Sequence, residues 1–346
     1  MRTTVSLIGL VGFAACHGAA PVVPPPATPP PVAAAPTTIA LPGATADGVG
    51  MDYLLYDART NTIWVPAGNT GAVDVIDGAT GKVTQIAGFP TQEVERRGAK
   101  RTVGPSAATL GDGVVYIGSR GDSTVCAVDD VKLVRGACGK LDAMPDGIAY
   151  VAKTHEVWVT TPRDKSLRIL DATTLAQKAR IALAEGPEGF AVDETRGRFY
   201  TNFEEGDQTL AIDLVTHETV ATWKPGCGAE GPHGLRLAGP EGFLFVACEA
   251  RVVALAVDHD GKTLGSLPTG EGLDDIDYAA ATHRVYAGAA KGSLTVGAVD
   301  ATGALTVVAT VPTAEGSRNG VVARDGRVYL SHSKGGEIVV VTPPAR

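Results

Sequence analysis

Seven strand-only units at near-constant spacing, turn residues between every strand, and an incomplete last unit together predict an all-β fold, a seven-bladed β-propeller. Each unit is marked by a hydrophobic residue followed by an aromatic one: Ile63-Trp64, Val115-Tyr116, Val157-Trp158, Phe199-Tyr200, Leu244-Phe245, Val285-Tyr286 and Val328-Tyr329. Successive aromatics lie 52, 42, 42, 45, 41 and 43 residues apart. A period of that length holds one supersecondary unit, and ring closure of seven such units makes one domain with a large shared core.

In chain order, the first segment reads as an address. Arg2 supplies positive charge, and Val5 to Ala15 is apolar but too short to span a bilayer, the pattern of a signal peptide over residues 1–15. Phe13-Ala14-Ala15-Cys16 resembles a bacterial lipobox, with Phe where Leu is usual. The resemblance implies cleavage before Cys16 and lipid attachment to it. Within a linker over residues 16–37, Ala19 to Pro36 is dominated by Pro and Ala, a composition that builds no core and favours an extended tether of roughly 50 Å at about 3.1 Å per residue. The chain is therefore expected to be exported and held in the cell envelope, periplasmic or surface-facing, touching the membrane only through its lipid.

The propeller is expected over residues 38–346. Thr38-Ile39-Ala40-Leu41-Pro42-Gly43 has the character of outer strands elsewhere, such as Arg180-Ile181-Ala182-Leu183 and Val307-Val308-Ala309-Thr310. The last unit stops after Glu337-Ile338-Val339-Val340-Val341 with three strands. The N-terminal strand is predicted to supply the fourth and close the ring, which leaves no lone sheet edge between the first and last units.

Unit three shows the internal pattern best. The turn Pro145-Asp146-Gly147 leads into Ile148-Ala149-Tyr150-Val151. Val157-Trp158-Val159-Thr160, Leu167-Arg168-Ile169-Leu170-Asp171 and Ala179-Arg180-Ile181-Ala182-Leu183 follow, each separated by turn residues. The hydrophobe that opens the first strand precedes the hydrophobe of the marker pair by nine residues in five units, as in Ile148 and Val157. It precedes it by seven in two, Ala108 to Val115 and Val321 to Val328, a change that keeps the same faces inward.

Four cysteines follow the leader. Cys126 and Cys138 fall on consecutive strands of unit two, and Cys227 and Cys248 fall on one face of unit five. Two disulfides, Cys126–Cys138 and Cys227–Cys248, suit an exported chain. No spacing suggests zinc or haem attachment. The net charge of −8 and scattered basic residues exclude a nucleic-acid stripe. The one basic run, Arg96-Arg97 with Lys100-Arg101, reads as a solvated loop.

The residues that lead into each innermost strand carry the functional expectation: Asp52, Ser106, Asp146, Glu188, His233, Asp274 and Asn319. In a propeller these positions ring the mouth of the central channel. Four like charges at close quarters must be hydrated, protonated, paired or neutralised by a cation. Oxygen donors favour Ca²⁺ or Mg²⁺ over zinc, and Asp146, Glu188, Asp274 and Asn319 are the candidate ligands. The plain reading of the same residues is turn chemistry, an Asp carboxylate accepting local backbone N–H groups. Candidate anion-binding groups on that face are Arg120, Arg163, Lys165, Lys291, His332 and Lys334, with Arg318 beside the channel. His233 stands where other units have acids, and imidazole is the side chain best suited to exchange protons at physiological pH, so it is the candidate proton carrier. His155, His217, His259 and His283 fall at the opposite turns and read as structural.

The chain resembles the YVTN-repeat β-propellers in Pro145-Asp146-Gly147-Ile148-Ala149, Phe199-Tyr200-Thr201-Asn202, Ser293-Leu294-Thr295-Val296 and the turn Asp77-Gly78-Ala79-Thr80-Gly81-Lys82-Val83. That resemblance covers Thr38 to about Thr342 and implies an extracytoplasmic binding or scaffold role. A second, weaker likeness is to gluconolactonase, regucalcin-type and streptogramin-lyase propellers. It implies one divalent cation at the mouth held by Glu, Asn and Asp, with Glu188, Asn319, Asp146 and Asp274 in those roles. Three Trp in the whole chain leave no tryptophan-rich quinoprotein repeat. The expectation is a monomeric, non-catalytic module that binds a protein, peptide or glycan at the channel mouth through Asp52, Ser106, Asp146, Glu188, His233, Asp274, Asn319, Arg318 and His332. The alternative is a metal-dependent lactonase or lyase in which His233 or an acid moves the proton.

Overall fold

A computed structural model describes residues 1, 4, 34–96 and 98–344. The predicted signal peptide, Cys16 and all but the last residues of the tether lie outside the described residues. Seven antiparallel four-stranded sheets form the ring, over residues 55–87, 105–140, 148–182, 187–223, 232–268, 276–312 and 317–341. The seventh is completed by Thr37–Ala40, which pairs with Glu337–Val341 in the register Thr37 to Val340 and Ala40 to Glu337. The sheet order runs from the N-terminal strand through Glu337–Val341 and Val328–His332 to Ser317–Val322. Closure by the chain's first strand is thus as predicted, beginning one residue earlier.

Each blade is cut by the same chemistry. The third strand ends in Asp in four blades and is followed directly by Asp300 in a fifth, and the carboxylate accepts backbone N–H groups two to four residues on: Asp77 from Ala79 and Thr80, Asp129 from Val131 and Lys132, Asp171 from Thr173 and Thr174, Asp213 from Val215 and Thr216, Asp300 from Thr302 and Ala304. Those bonds, behind the Thr302 hydroxyl at Asp300, hold all five carboxyls below their ordinary pKa. The polypeptide then reverses through a left-handed residue, Gly81 or Gly303 in two blades but Leu133, Leu175 and His217 in three. His155 and His283 take the same left-handed conformation between first and second strands.

The periodic aromatics are the mortar between blades. Trp64, Tyr116, Trp158, Tyr200, Phe245, Tyr286 and Tyr329 are all buried, each in a different one of seven apolar clusters. Each cluster joins one blade to the next; Trp158 of blade three stacks on Phe199 of blade four with ring centroids 5.0 Å apart. Full burial of one such side chain contributes about 2–3 kcal/mol, and seven seams repeat it around the ring.

Two sequence expectations need correction. Blade seven is paired one residue out of step with the marker spacing: Val321 faces Tyr329, not Leu330, because the ladder slips between Arg318 and Gly320. Arg96, Lys100 and Arg101 of the basic run lie on the paired strands Gln92–Arg96 and Ala99–Val103 rather than in a loop. Lys165 stands in a left-handed turn position at φ 46°. Both predicted disulfides form, Cys126–Cys138 with Cα atoms 4.0 Å apart and Cys227–Cys248 at 5.1 Å. They are compatible with a periplasmic or extracellular location.

Candidate functional site

All first strands run from one face of the ring to the other, so the residues that open them share a face. Four predicted positions lie where the ladder is interrupted. The register slips between Pro105 and Ala107, Pro187 and Phe190, Pro232 and Leu235, and Arg318 and Gly320, which leaves Ser106, Glu188, His233 and Asn319 outside regular pairing. A bulge re-aims a side chain that strict alternation would send to a blade face. Asn319 completes its bulge at φ 50°. Asp52, Asp146 and Asp274 lie just ahead of their strands.

These positions converge. Asp52, Glu188, His233, Asp274 and Asn319 line one cavity of about 10 Å³, room for a single water molecule. Arg120, in the turn after the second strand of blade two, donates to Asp52 at 2.6 Å and also to Asp146. Gln92 at the base of the hairpin donates to the Arg120 carbonyl oxygen at 2.7 Å and so holds that turn. The Asn319 amide donates to Asp274 at 2.7 Å and to Asp52 at 3.5 Å, and its oxygen accepts the Asp275 N–H at 3.1 Å. Ser106 donates to the Asp146 carbonyl oxygen at 3.2 Å. Arg318, half exposed, stands 3.3 Å from Asp274.

Below this layer Tyr53 closes the channel. Its ring meets that of Phe190 from blade four at 5.4 Å, a contact across the axis, and its N–H donates to the Ser106 carbonyl oxygen at 3.1 Å. Burial and the acids above, Asp146 first, carry its hydroxyl well above the ordinary tyrosine value. Sequence reasoning missed Tyr53, since an aromatic beside a turn Asp carries no signal of reaching the axis.

The mouth is an acid cluster around one internal cation. Burial, opposed by Arg120 and reinforced by Asp146 and Asp274, pushes the Asp52 carboxyl up to about 7. Burial followed by Asp146, Glu204, Asp52 and Asp274 pushes Glu188 up to about 8. Burial also lifts Asp275 to about 6 despite its pairing with Arg236. Burial works against the charge of Arg120, but Asp146 and Asp52 more than offset it and hold the guanidinium above its ordinary value. His233 Nδ1 lies 3.9 Å from Glu204, and its Nε2 is buried with no hydrogen-bond partner among the described residues.

Several predicted groups have other work. Arg120 neutralises the acids from within. His332 Nδ1 lies 3.1 Å from Glu337, and His332 does not line the mouth cavity. Arg163, Lys165, Lys291 and Lys334 also stand outside that cavity. Among the described residues no three His, Cys, Asp or Glu side chains are grouped to ligate a metal. Arg120 sits between Asp52 and Asp146, and both ends of the Asn319 amide are engaged, so one oxygen each of Asp52, Asp146 and Asp274, and the Asn319 amide, are taken up by internal partners.

No protein-family profile matches the chain, and no curated protein sequence matches it. Solved structures are similar in shape. A chain of the mitotic checkpoint complex superposes with a TM-score of 0.72 at 11% identity, covering 97% of this chain and 99% of that one. A chain of Kuenenia stuttgartiensis hydrazine synthase gives 0.71 at 15% identity, covering 88% and 98%. U3-55K gives 0.68 at 9% identity, covering 89% and 98%. Likeness at these identities shows the propeller fold alone.

Proposed function

We propose that this propeller is a non-catalytic, extracytoplasmic binding module, of the YVTN-repeat type, whose channel-mouth face takes a basic segment of a protein or peptide. The observation that carries the reading is the filled mouth: a cavity of about 10 Å³ above the Tyr53–Phe190 plug leaves no chamber for a substrate, so recognition falls to the surrounding surface. That surface is acidic on the side of blades four to six. Glu204, Glu205, Glu230 and Glu271 are exposed in its loops, beside Glu188 and Asp274 of the mouth itself. Clustered carboxylates steer and orient a cationic partner.

Fluorescence anisotropy with a labelled oligo-lysine peptide and an oligo-glutamate control tests this. Saturable binding of the basic peptide should weaken by about tenfold or more on charge reversal at Glu204, Glu205 and Glu271, and fall with salt. Equal binding of both peptides, or no effect of the reversal, would refute the face assignment. The anchor belongs to the same reading: the mature chain is tethered through lipid on Cys16. Cys16→Ser should then move the protein from the membrane fraction to the soluble fraction.

A further inference from the structure

The other end of the channel is open. Its cavity holds about 410 Å³, within the range of small-molecule sites and far larger than the mouth. It forms where the first strands of blades one, six and seven end, with Arg236 of blade five reaching its wall. Its lining shares no residue with the mouth cavity.

Its lining has a definite chemistry. Leu54, Leu55, Val321 and Ala279 give apolar walls, and Tyr56 and Tyr278 add two aromatic rings. Both tyrosine hydroxyls are engaged outward, with Asn61 at 2.9 Å and His283 at 3.2 Å. The charged wall is built and rigid. Arg236 donates from Nε to Asp277 at 3.2 Å, from one terminal nitrogen to the Leu235 carbonyl oxygen and Asp275, and from the other to Asp275 at 2.8 Å. Four of its N–H groups are thereby used, which leaves one of the five that a guanidinium carries. Asp277 also accepts the backbone N–H groups of Tyr278 and Val322 at 2.9 and 2.8 Å, and so ties blade six to blade seven. Arg324 is exposed at the lining and makes no ion pair among the described residues.

We propose that this far opening binds a small, mainly apolar carboxylate, its hydrocarbon part against the tyrosines and leucines and its carboxylate on Arg324. The apolar walls set the body of the ligand, and the uncompensated guanidinium sets the sign of its head. The spare N–H of Arg236 is a second donor for an acceptor atom deeper in the cavity.

Calorimetric titration of the intact protein with benzoate, 4-hydroxyphenylacetate and octanoate, each beside its neutral amide, reads the proposal directly. At least one carboxylate should bind with a Kd below about 1 mM and about tenfold or more tighter than its amide. Arg324→Glu, at an exposed position, should remove that preference, and Ala281→Trp should block the cavity without disturbing the fold, checked by an unchanged melting temperature. No binding below about 10 mM, amides equal to carboxylates, or undiminished binding in both variants would overturn it. None of these outcomes depends on the acidic mouth, because the charge-reversal sites there lie at the other end of the ring.

Discussion

Arg120→Met removes the cation on which the mouth is built, and the structure fixes both the size and the pH dependence of the loss. The Arg120 guanidinium is mostly shielded and holds two carboxylates, Asp52 at 2.6 Å and Asp146. Each pair is worth about 4 kcal/mol at an effective dielectric near 20, and stripping one partner from such a buried arrangement typically costs about 3–5 kcal/mol because uncompensated charge stays behind. The full cost applies at pH 8, where Asp52 is ionised. At pH 5 Asp52, with its carboxyl pushed up to about 7, carries a proton, one pair is already lost, and the penalty should fall to about half. The wild type has its own slope. Asp52, Glu188 and Asp275 have raised folded-state pKa values of about 7, 8 and 6, so the stability they contribute is present below the unfolded carboxyl value and drains away as pH rises through 6–8. Guanidinium denaturation of the oxidised protein at pH 5 and pH 8, followed by tryptophan fluorescence, measures both. A loss below about 1 kcal/mol at each pH would mean that Arg120 is a solvated turn residue and the mouth is not held by its pairs.

Asp74 gives an independent pH test. It is fully buried, accepts from Gln85 at 3.0 Å through one oxygen, and has no partner for the other among the described residues, so burial pushes its carboxyl up to about 6. Asp74→Asn should match the wild type at pH 4 and exceed it by about 1–3 kcal/mol at pH 8, read by the same denaturation. Lys165 sits at φ 46° where blades one, six and seven have Gly71, Gly292 and Gly336. Lys165→Gly should stabilise by about 0.5–1 kcal/mol, and a loss of that size would show that its side chain matters more than its backbone. Removing residues 34–41 deletes the closing strand and the buried Leu41, exposing Glu337–Val341 as an edge. Size-exclusion chromatography should then show self-association, reversed by a peptide spanning residues 34–42, whereas a monodisperse truncation would deny the strand its closing role.

The ring was legible because its signals are local and repeated. Seven aromatics recur because seven seams need the same filler, and Asp at or just after the end of a third strand recurs because the same turn must be capped five times. The mouth positions could be found by register, two residues ahead of the first inward hydrophobe, and they do converge. What they do there was not legible. The reach of Arg120 into the mouth depends on a turn pinned by Gln92 from another element, and no spacing encodes that. Tyr53 became a plug only by meeting Phe190 from three blades away. Blade seven slipped by one because Asn319 takes a left-handed conformation that hydrophobic spacing does not reveal. The far cavity assembles from strand ends of several blades, each unremarkable alone.

The central claim is that internal pairs, with Arg120 among them, hold the acids of the mouth together without a cation. Thermal melting of the protein in excess EDTA and in a Ca²⁺ series measures this directly. The account predicts superimposable curves. A saturable Ca²⁺-dependent rise, equivalent to about 2.7 kcal/mol at a hundred times Kd and lost in Glu188→Gln or Asp274→Asn, would contradict it and return the metal-dependent reading to the mouth.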